Sequence, residues 1–196
     1  MTFRILTVCT GNICRSAMAK MVFEQRFAED GLDVQVDSAG VSAEEQGNPI
    51  DYRAAQVLRE NGYEVTGHRA RQVQPGELAD YDLVLAATGN HLGRLRGMAA
   101  ADATAATNTG AASAASAASA SSADFASAST TASSTTSGAG PAQNLHLMRD
   151  FDTAGVGADM PDPWYGDMDD FVETLATIER IYPQIAAEVR AAGATS

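Results

Sequence analysis

Basic charge is what this sequence has least of. Lysine occurs once, at Lys20, and 13 Lys and Arg stand against 25 Asp and Glu, for a formal net charge of -12. Nucleic acid and anionic membrane surfaces both demand a basic face, so neither is expected as a general partner. Cysteine is nearly as scarce, with Cys9 and Cys14 the only two. Such a pair makes no disulfide framework, and Cys9-x4-Cys14 lacks the second ligand pair of a zinc site, so a reducing, cytoplasmic setting is expected. Long apolar runs are absent too. Nothing approaches the roughly 20 residues of a membrane span, and the apolar stretch 3–8 is too short for a cleavable leader and runs directly into Cys9.

What the chain does have is concentrated near its start. Residues 5–8 are an apolar run, followed by Cys9-Thr10-Gly11-Asn12-Ile13-Cys14-Arg15-Ser16 and then by a helical stripe of Met18, Met21, Val22 and Phe27 that Gly31 stops. Strand, small-residue loop and helix start, in that order, make an anion cradle. Amides at a helix N-terminus lack intrahelical partners and the peptide dipoles favour negative charge there, so a phosphate-sized dianion fits. The same field stabilises a thiolate, which makes Cys9 a nucleophile. Arg15 is placed to set its planar fork against two oxygens of the anion, a geometry lysine does not supply. Ser16 can donate its hydroxyl to the Cys9 sulfur. A lone cysteine or a lone Gly-Asn turn is usually structural; eight such residues between a strand and a helix point to phosphate chemistry.

Further along, Val34 and Val36 mark a second strand ending at Asp37-Ser38-Ala39-Gly40. Asn48-Pro49 reads as a cap and first turn of a helix over 49–61, with Ala54, Val57 and Leu58 on its apolar face and Gly62 as its stop. The run 83–87 (Leu-Val-Leu-Ala-Ala) has the character of a buried parallel strand, and 145–148 of a fourth. Alternating strands and helices imply an α/β sheet. Between the last two strands, residues 99–140 collapse to Ala, Ser, Thr and Gly with Phe125 the sole large apolar side chain, so a disordered or fraying insertion is expected inside a single domain, 1–196. A final helix is expected over 169–192, striped by Phe171, Leu175, Ile178, Ile181, Ile185 and Val189 and bent at Pro183.

Cysteine chemistry on a phosphate monoester needs a proton donor for the leaving oxygen. Asp162, held between Pro161 and Pro163 and followed by Trp164-Tyr165-Gly166-Asp167, is the candidate, with the aromatic pair as a wall that suits an aromatic substrate. The two motifs together resemble the low-molecular-weight protein tyrosine phosphatases, over about 3–97 and 144–190. Ser38-Ala39-Gly40, Pro49-x-Asp51-x-Arg53 and His68-x-x-Arg71-Gln72 look like the family's intervening signatures.

The resemblance implies a four-stranded parallel sheet flanked by helices on both faces, with the phosphate-binding loop after strand 1. Cys9, Arg15 and Asp162 would be the catalytic residues and Thr10, Gly11, Asn12, Ile13, Cys14 and Ser16 the loop. Ser38 and His68 would support it, and Trp164 and Tyr165 would line the substrate. It implies no metal and no cofactor, a phosphotyrosine protein as substrate, a tyrosine kinase as a further partner, and a monomer. Two positions depart from the family pattern: Ala43-Glu44-Glu45 where an aromatic rim is usual, and Thr88 where an acid is usual, so weaker substrate binding is expected. The competing functions are arsenate reduction, for which the chain lacks a third cysteine; phosphoarginine hydrolysis, where threonine is expected at Ile13; and capture of phosphotyrosine without hydrolysis, against which both Cys9 and Asp162 stand.

Overall fold

The structure, a computed structural model, describes residues 2–115 and 144–194. Four strands, β1 (Phe3–Cys9), β2 (Val34–Gly40), β3 (Leu83–Ala86) and β4 (Leu145–Leu147), form one sheet in the order β2-β1-β3-β4. Every pairing is parallel. Side chains alternate across the sheet. Ile5, Val36 and Leu85 face one apolar cluster with Phe23, Leu58 and Ile178, while Leu6, Val8, Val84 and Ala86 face a second with Leu92 and Leu95. The first cluster belongs to helices α1 (Arg15–Glu29), α2 (Tyr52–Glu60) and α4 (Met168–Ala191), the second to α3 (Gly89–Ala115). Both faces are therefore covered, which is why the central strands read as continuous apolar runs. The chain leaves β1 toward β2 on one side and toward β3 on the other, so a crevice opens at the carboxyl ends of β1 and β3. Cys9 is the last residue of β1.

Two local expectations change. Helix α2 begins at Tyr52 with Asp51 as its cap, accepting the Arg53 amide at 2.8 Å. Asn48 instead closes the preceding turn, its amide bonded to the Glu45 carbonyl and its side chain to the Glu45 carboxylate at 2.7 Å. Helix α3 has no forerunner in the sequence reading, and it carries the expected insertion's first residues: Ala99 is buried and Asp102 accepts the Gly76 amide at 2.8 Å. Packing of Leu92 and Leu95 supplies the nucleus, and the alanine-rich sequence then propagates the helix to Ala115 at little cost. The rest of the insertion, from 116 to 140, lies outside the described residues. Helix α4 keeps its expected stripe, wholly buried, and runs on through Pro183.

Candidate active site

The loop between β1 and α1 curls because Asn12 takes a left-handed conformation, φ 62°, alone among the described non-glycine residues. Asparagine tolerates that region better than most residues, and three hydrogen bonds hold it there. Its Nδ2 donates to Ser16 Oγ at 3.0 Å, its Oδ1 accepts the Arg71 amide at 3.1 Å, and its carbonyl lies 2.6 Å from His68 Nε2. A carbonyl only accepts, so His68 carries its proton on Nε2. Burial pushes the His68 pKa down and keeps the ring neutral, against the raising effect of that same hydrogen bond.

Ser16 Oγ is 3.0 Å from Cys9 Sγ. Because Asn12 already donates to this hydroxyl, its own proton is free for the sulfur, and the Ala39 carbonyl is the more distant alternative at 3.4 Å. The start of α1 is open. Helices α2 and α4 are capped by the carboxylates of Asp51 and Asp167, whereas α1 has no acid in its first turn and, among the described residues, no capping side chain. Its first amides and positive dipole end are left for an anion.

The loop lies against the end of β2. A Cβ on Gly40 would stand 2.4 Å from the Thr10 carbonyl oxygen, so only glycine permits this approach. The amides of Val41 and Ser42 then bond the carbonyls of Cys9 and Thr10 at 2.9 and 3.0 Å.

Arg15, nearly buried, donates from Nη1 to the Met160 carbonyl at 3.2 Å and from Nη2 to Asp162 at 2.6 Å. Its Nε is buried with no hydrogen-bond partner among the described residues. Asp162 is itself fixed by the Trp164 amide, 3.2 Å from Oδ1, as the cap of the short turn Pro163–Tyr165. Arg53 ties this segment to the loop. It grips Asp51 through Nε and Nη2 at 3.1 and 3.0 Å and donates to the carbonyls of Gly166 and Trp164, while the Asp51 amide donates to the Ile13 carbonyl at 2.8 Å.

A cavity of about 260 Å³ results, lined by Cys9, Thr10, Gly11, Ile13, Cys14 and Arg15 below and by Glu44, Glu45, Asp162, Trp164 and Tyr165 around its mouth. Burial, with the Asp51 carboxylate next in effect, pushes the Cys14 thiol well above its ordinary range. Cys14 is therefore held as a neutral thiol.

The family model for low molecular weight phosphotyrosine protein phosphatases matches residues 4–109. A low molecular weight protein-tyrosine-phosphatase of Streptomyces coelicolor is 34% identical over 194 residues, covering 97% of this chain and 95% of the relative. The chain belongs to this family. Low molecular weight protein-tyrosine phosphatase A of Mycobacterium tuberculosis is 36% identical over 180 residues, 90% of this chain and 85% of the relative. Among solved phosphatase folds, YfkJ from Bacillus subtilis superposes with a TM-score of 0.69 at 26% identity, covering 96% of this chain and 97% of that one. A protein tyrosine phosphatase from Entamoeba histolytica gives 0.72 at 21% identity, over 98% and 99% of the two chains, and so shows the shared fold.

Against this family frame, most residues expected from sequence converge: the loop, Arg15, Asp162 and the aromatic pair share one cavity, and His68 braces Asn12. Two stand differently. Ser38 is buried in β2 and, among the described residues, makes no side-chain hydrogen bond to the loop. Thr7, its register partner on β1, reaches the loop instead, with Oγ1 2.9 Å from the Ser16 carbonyl. Tyr165 is 91% exposed, so the wall expected of the aromatic pair is open on that side, whereas Trp164 is held by the Arg53 guanidinium 5.7 Å from its ring. Thr7 and a buried His91 next to Thr10 carry no signal in the sequence, since each acts through tertiary contact, and Arg53 is signalled there only as part of the Pro49-x-Asp51-x-Arg53 signature, without its anchoring role.

Proposed function

We propose that this chain hydrolyses phosphotyrosine in proteins through a phosphocysteine intermediate. The observation that carries the reading is the convergence of Cys9, Arg15 and Asp162 on one cavity, at a helix start with no capping side chain among the described residues.

Arg15 and the loop amides hold the phosphoryl oxygens, and Ser16 directs its proton to Cys9 Sγ, which attacks phosphorus. Asp162 protonates the departing phenolate, then takes a proton from the water that cleaves the phosphocysteine. Atoms and charge balance without a metal or redox partner. Ile13 supplies apolar contact for an aryl ring, and Trp164 borders the mouth. Depth favours a long ester, since a phosphoserine phosphorus lies too near its peptide backbone to reach the cavity floor. The partners assigned are a phosphotyrosine protein and a tyrosine kinase acting on the same pool, with the enzyme a cytoplasmic monomer. Among the described residues no helix is long and apolar enough to cross a membrane.

The deciding experiment assays the purified protein on a phosphotyrosine peptide, phosphoserine, phosphoarginine and arsenate. Fastest turnover of phosphotyrosine, abolished by Cys9→Ser, is expected. Faster hydrolysis of phosphoarginine would overturn the substrate and leave the cysteine mechanism standing, and arsenate reduction would overturn both.

A further inference from the structure

His91 lies in the first turn of α3, beside the crevice between β1 and β3, and is buried although it is neither hydrophobic nor part of the expected site. Its ring is held at both nitrogens by hydroxyls. Nδ1 is 2.9 Å from Thr88 Oγ1, and Nε2 is 2.9 Å from Oγ1 of Thr10, the residue that follows the nucleophile. We propose that His91 is a positioning residue of this site: it donates from Nε2 to Thr10 Oγ1 and so turns the Thr10 hydroxyl proton toward a phosphate oxygen in the cavity.

The direction of the relay follows from counting protons. The Thr88 hydroxyl accepts the His91 backbone amide at 3.4 Å, as the cap of α3. Its own proton has Nδ1 as an acceptor only when Nδ1 carries none. A neutral imidazole then bears its hydrogen on Nε2, which donates to Thr10. Thr10 lines both the cavity that holds Cys9 and the neighbouring pocket that holds His91, and with its oxygen occupied by His91 its proton is free for a phosphate oxygen. The opposite tautomer leaves the Thr88 proton without an acceptor among the described contacts and draws the Thr10 proton out of the cavity toward Nε2.

The ring stays neutral. Burial lowers the His91 pKa to about 4, aided by Arg15 of α1 and Arg94 of α3 and opposed by Asp162 and Asp159 of the segment after β4. Protonation would make both ring nitrogens donors and reverse the bond to the Thr88 hydroxyl, which would then accept from Nδ1, while Nε2 would still donate to Thr10. The site thus has a hydroxyl donor at the first loop position, set by a residue on a different element and 81 positions away.

This assignment rests on the phosphate-handling reading of the cavity, and its test separates the two. Wild type, His91→Phe, His91→Gln, Thr10→Val, Thr10→Ser and the double variant His91→Phe/Thr10→Val are compared by calorimetric affinity for inorganic phosphate, by kcat and KM on p-nitrophenyl phosphate, and by Tm. Thr10→Val and His91→Phe should each weaken phosphate binding about 10-fold, the scale of one hydrogen bond to a charged group. The double variant should be no worse than Thr10→Val alone, as two members of one relay require. His91→Gln, whose amide can still donate to Thr10, should restore most of the affinity lost in His91→Phe, and Thr10→Ser most of that lost in Thr10→Val. Losses that multiply in the double variant, or Thr10→Val binding phosphate as wild type does, would overturn the relay. If His91→Phe does not fold, Thr10→Val, Thr10→Ser and His91→Gln still decide: no loss in Thr10→Val sinks the proposal. Wild-type turnover with no variant effect would refute the relay and leave the phosphatase, while variant effects on binding without wild-type turnover would do the reverse.

Discussion

Arg15 and Asp162 hold each other across the cavity mouth, Nη2 to Oδ2 at 2.6 Å, with Arg15 buried and Asp162 partly exposed. The group that would clamp a phosphate and the group that would protonate the leaving oxygen are thus engaged with one another in the free protein. On the proposed mechanism, a dianion that took over Arg15 would release Asp162 toward the ester oxygen, so that binding would assemble the acid.

Asp162→Asn removes both the proton donor and the competitor for Arg15. Turnover of esters with poor leaving groups should fall about 10²–10⁴-fold, the usual share of general acid catalysis, and that of esters with acidic leaving groups much less. Inorganic phosphate should inhibit the variant at lower concentration than wild type, because a neutral amide neither occupies Arg15 nor repels the anion. Equal losses for the two ester classes would contradict the acid role.

Arg53 acts at a distance through Asp51, Gly166 and Trp164. Arg53→Ala should free the Asp162 segment from the loop and lower kcat about 10-fold or more, since misplacement of a reacting group by about 1 Å can cost 10²-fold. Arg53→Lys should rescue little, because a point charge cannot grip Asp51 at two oxygens and reach two carbonyls at once. A lysine variant with wild-type kcat would show that charge alone suffices.

The loop and the aspartate that meet in one cavity were legible because each lies in contiguous residues: Cys9 to Ser16 between a strand and a helix, and Asp162 between prolines. What braces them was not. Ser38 was expected to hold the loop and Thr7 does so, because strand register, which sequence leaves open, decides which of two neighbouring hydroxyls reaches Ser16. The start of α2 shifted from Asn48 to Asp51 because two capping residues competed and the Glu45 turn claimed the first. Helix α3 was hidden by composition, since Ala-rich sequence has propensity without a stripe, and its packing rests on Leu92 and Leu95 ahead of it. His91 gave no sign at all, being 81 residues from its partner.

Gly40→Ala tests the approach of β2 to the loop. The new methyl would collide with the Thr10 carbonyl, which is backbone and already bonded to Ser42. Overpacking of this kind costs typically about 1–3 kcal/mol, and because the displaced group is the loop itself, KM for aryl phosphates should rise along with the fall in Tm. A lower Tm with unchanged KM would mean that β2 yields instead.

Asp152 provides a pH test away from the cavity. It is fully buried, bonded by Arg180 at 2.7 and 2.9 Å and by Arg149 at 2.9 Å, and these contacts, with Arg180 foremost, hold its carboxyl far below the ordinary range. A depressed folded-state pKa stabilises the fold above the unfolded value of about 3.9, and that contribution is lost as pH falls below it. Wild-type Tm should therefore drop steeply below about pH 4. Asp152→Asn should lower Tm at neutral pH by removing the carboxylate that pairs with Arg149 and Arg180, and its Tm should depend less on pH in that range. Parallel pH curves would remove Asp152 as the cause.

Two replacements of the Ala/Ser/Thr-rich region separate the part of it that packs from the remainder. Surface-loop length matters little to stability, because each doubling adds only about 0.6 kcal/mol of closure entropy. Replacing residues 108–143 with a Gly-Ser linker keeps Leu92, Leu95 and Ala99 in the core and keeps Asp102 on the Gly76 amide. Activity on aryl phosphates should stay within a few-fold and Tm should barely move. Replacing 99–140 instead deletes the buried Ala99 and strips the acceptor from Gly76, a loss on the order of 1–3 kcal/mol for the bond and the burial together. It also frees the last turns of α3 to fray beside Thr88 and His91, so Tm should fall and phosphate affinity with it. Equal tolerance of both replacements would show that α3 contributes nothing beyond Met98, and equal intolerance that residues 108–143 pack as well.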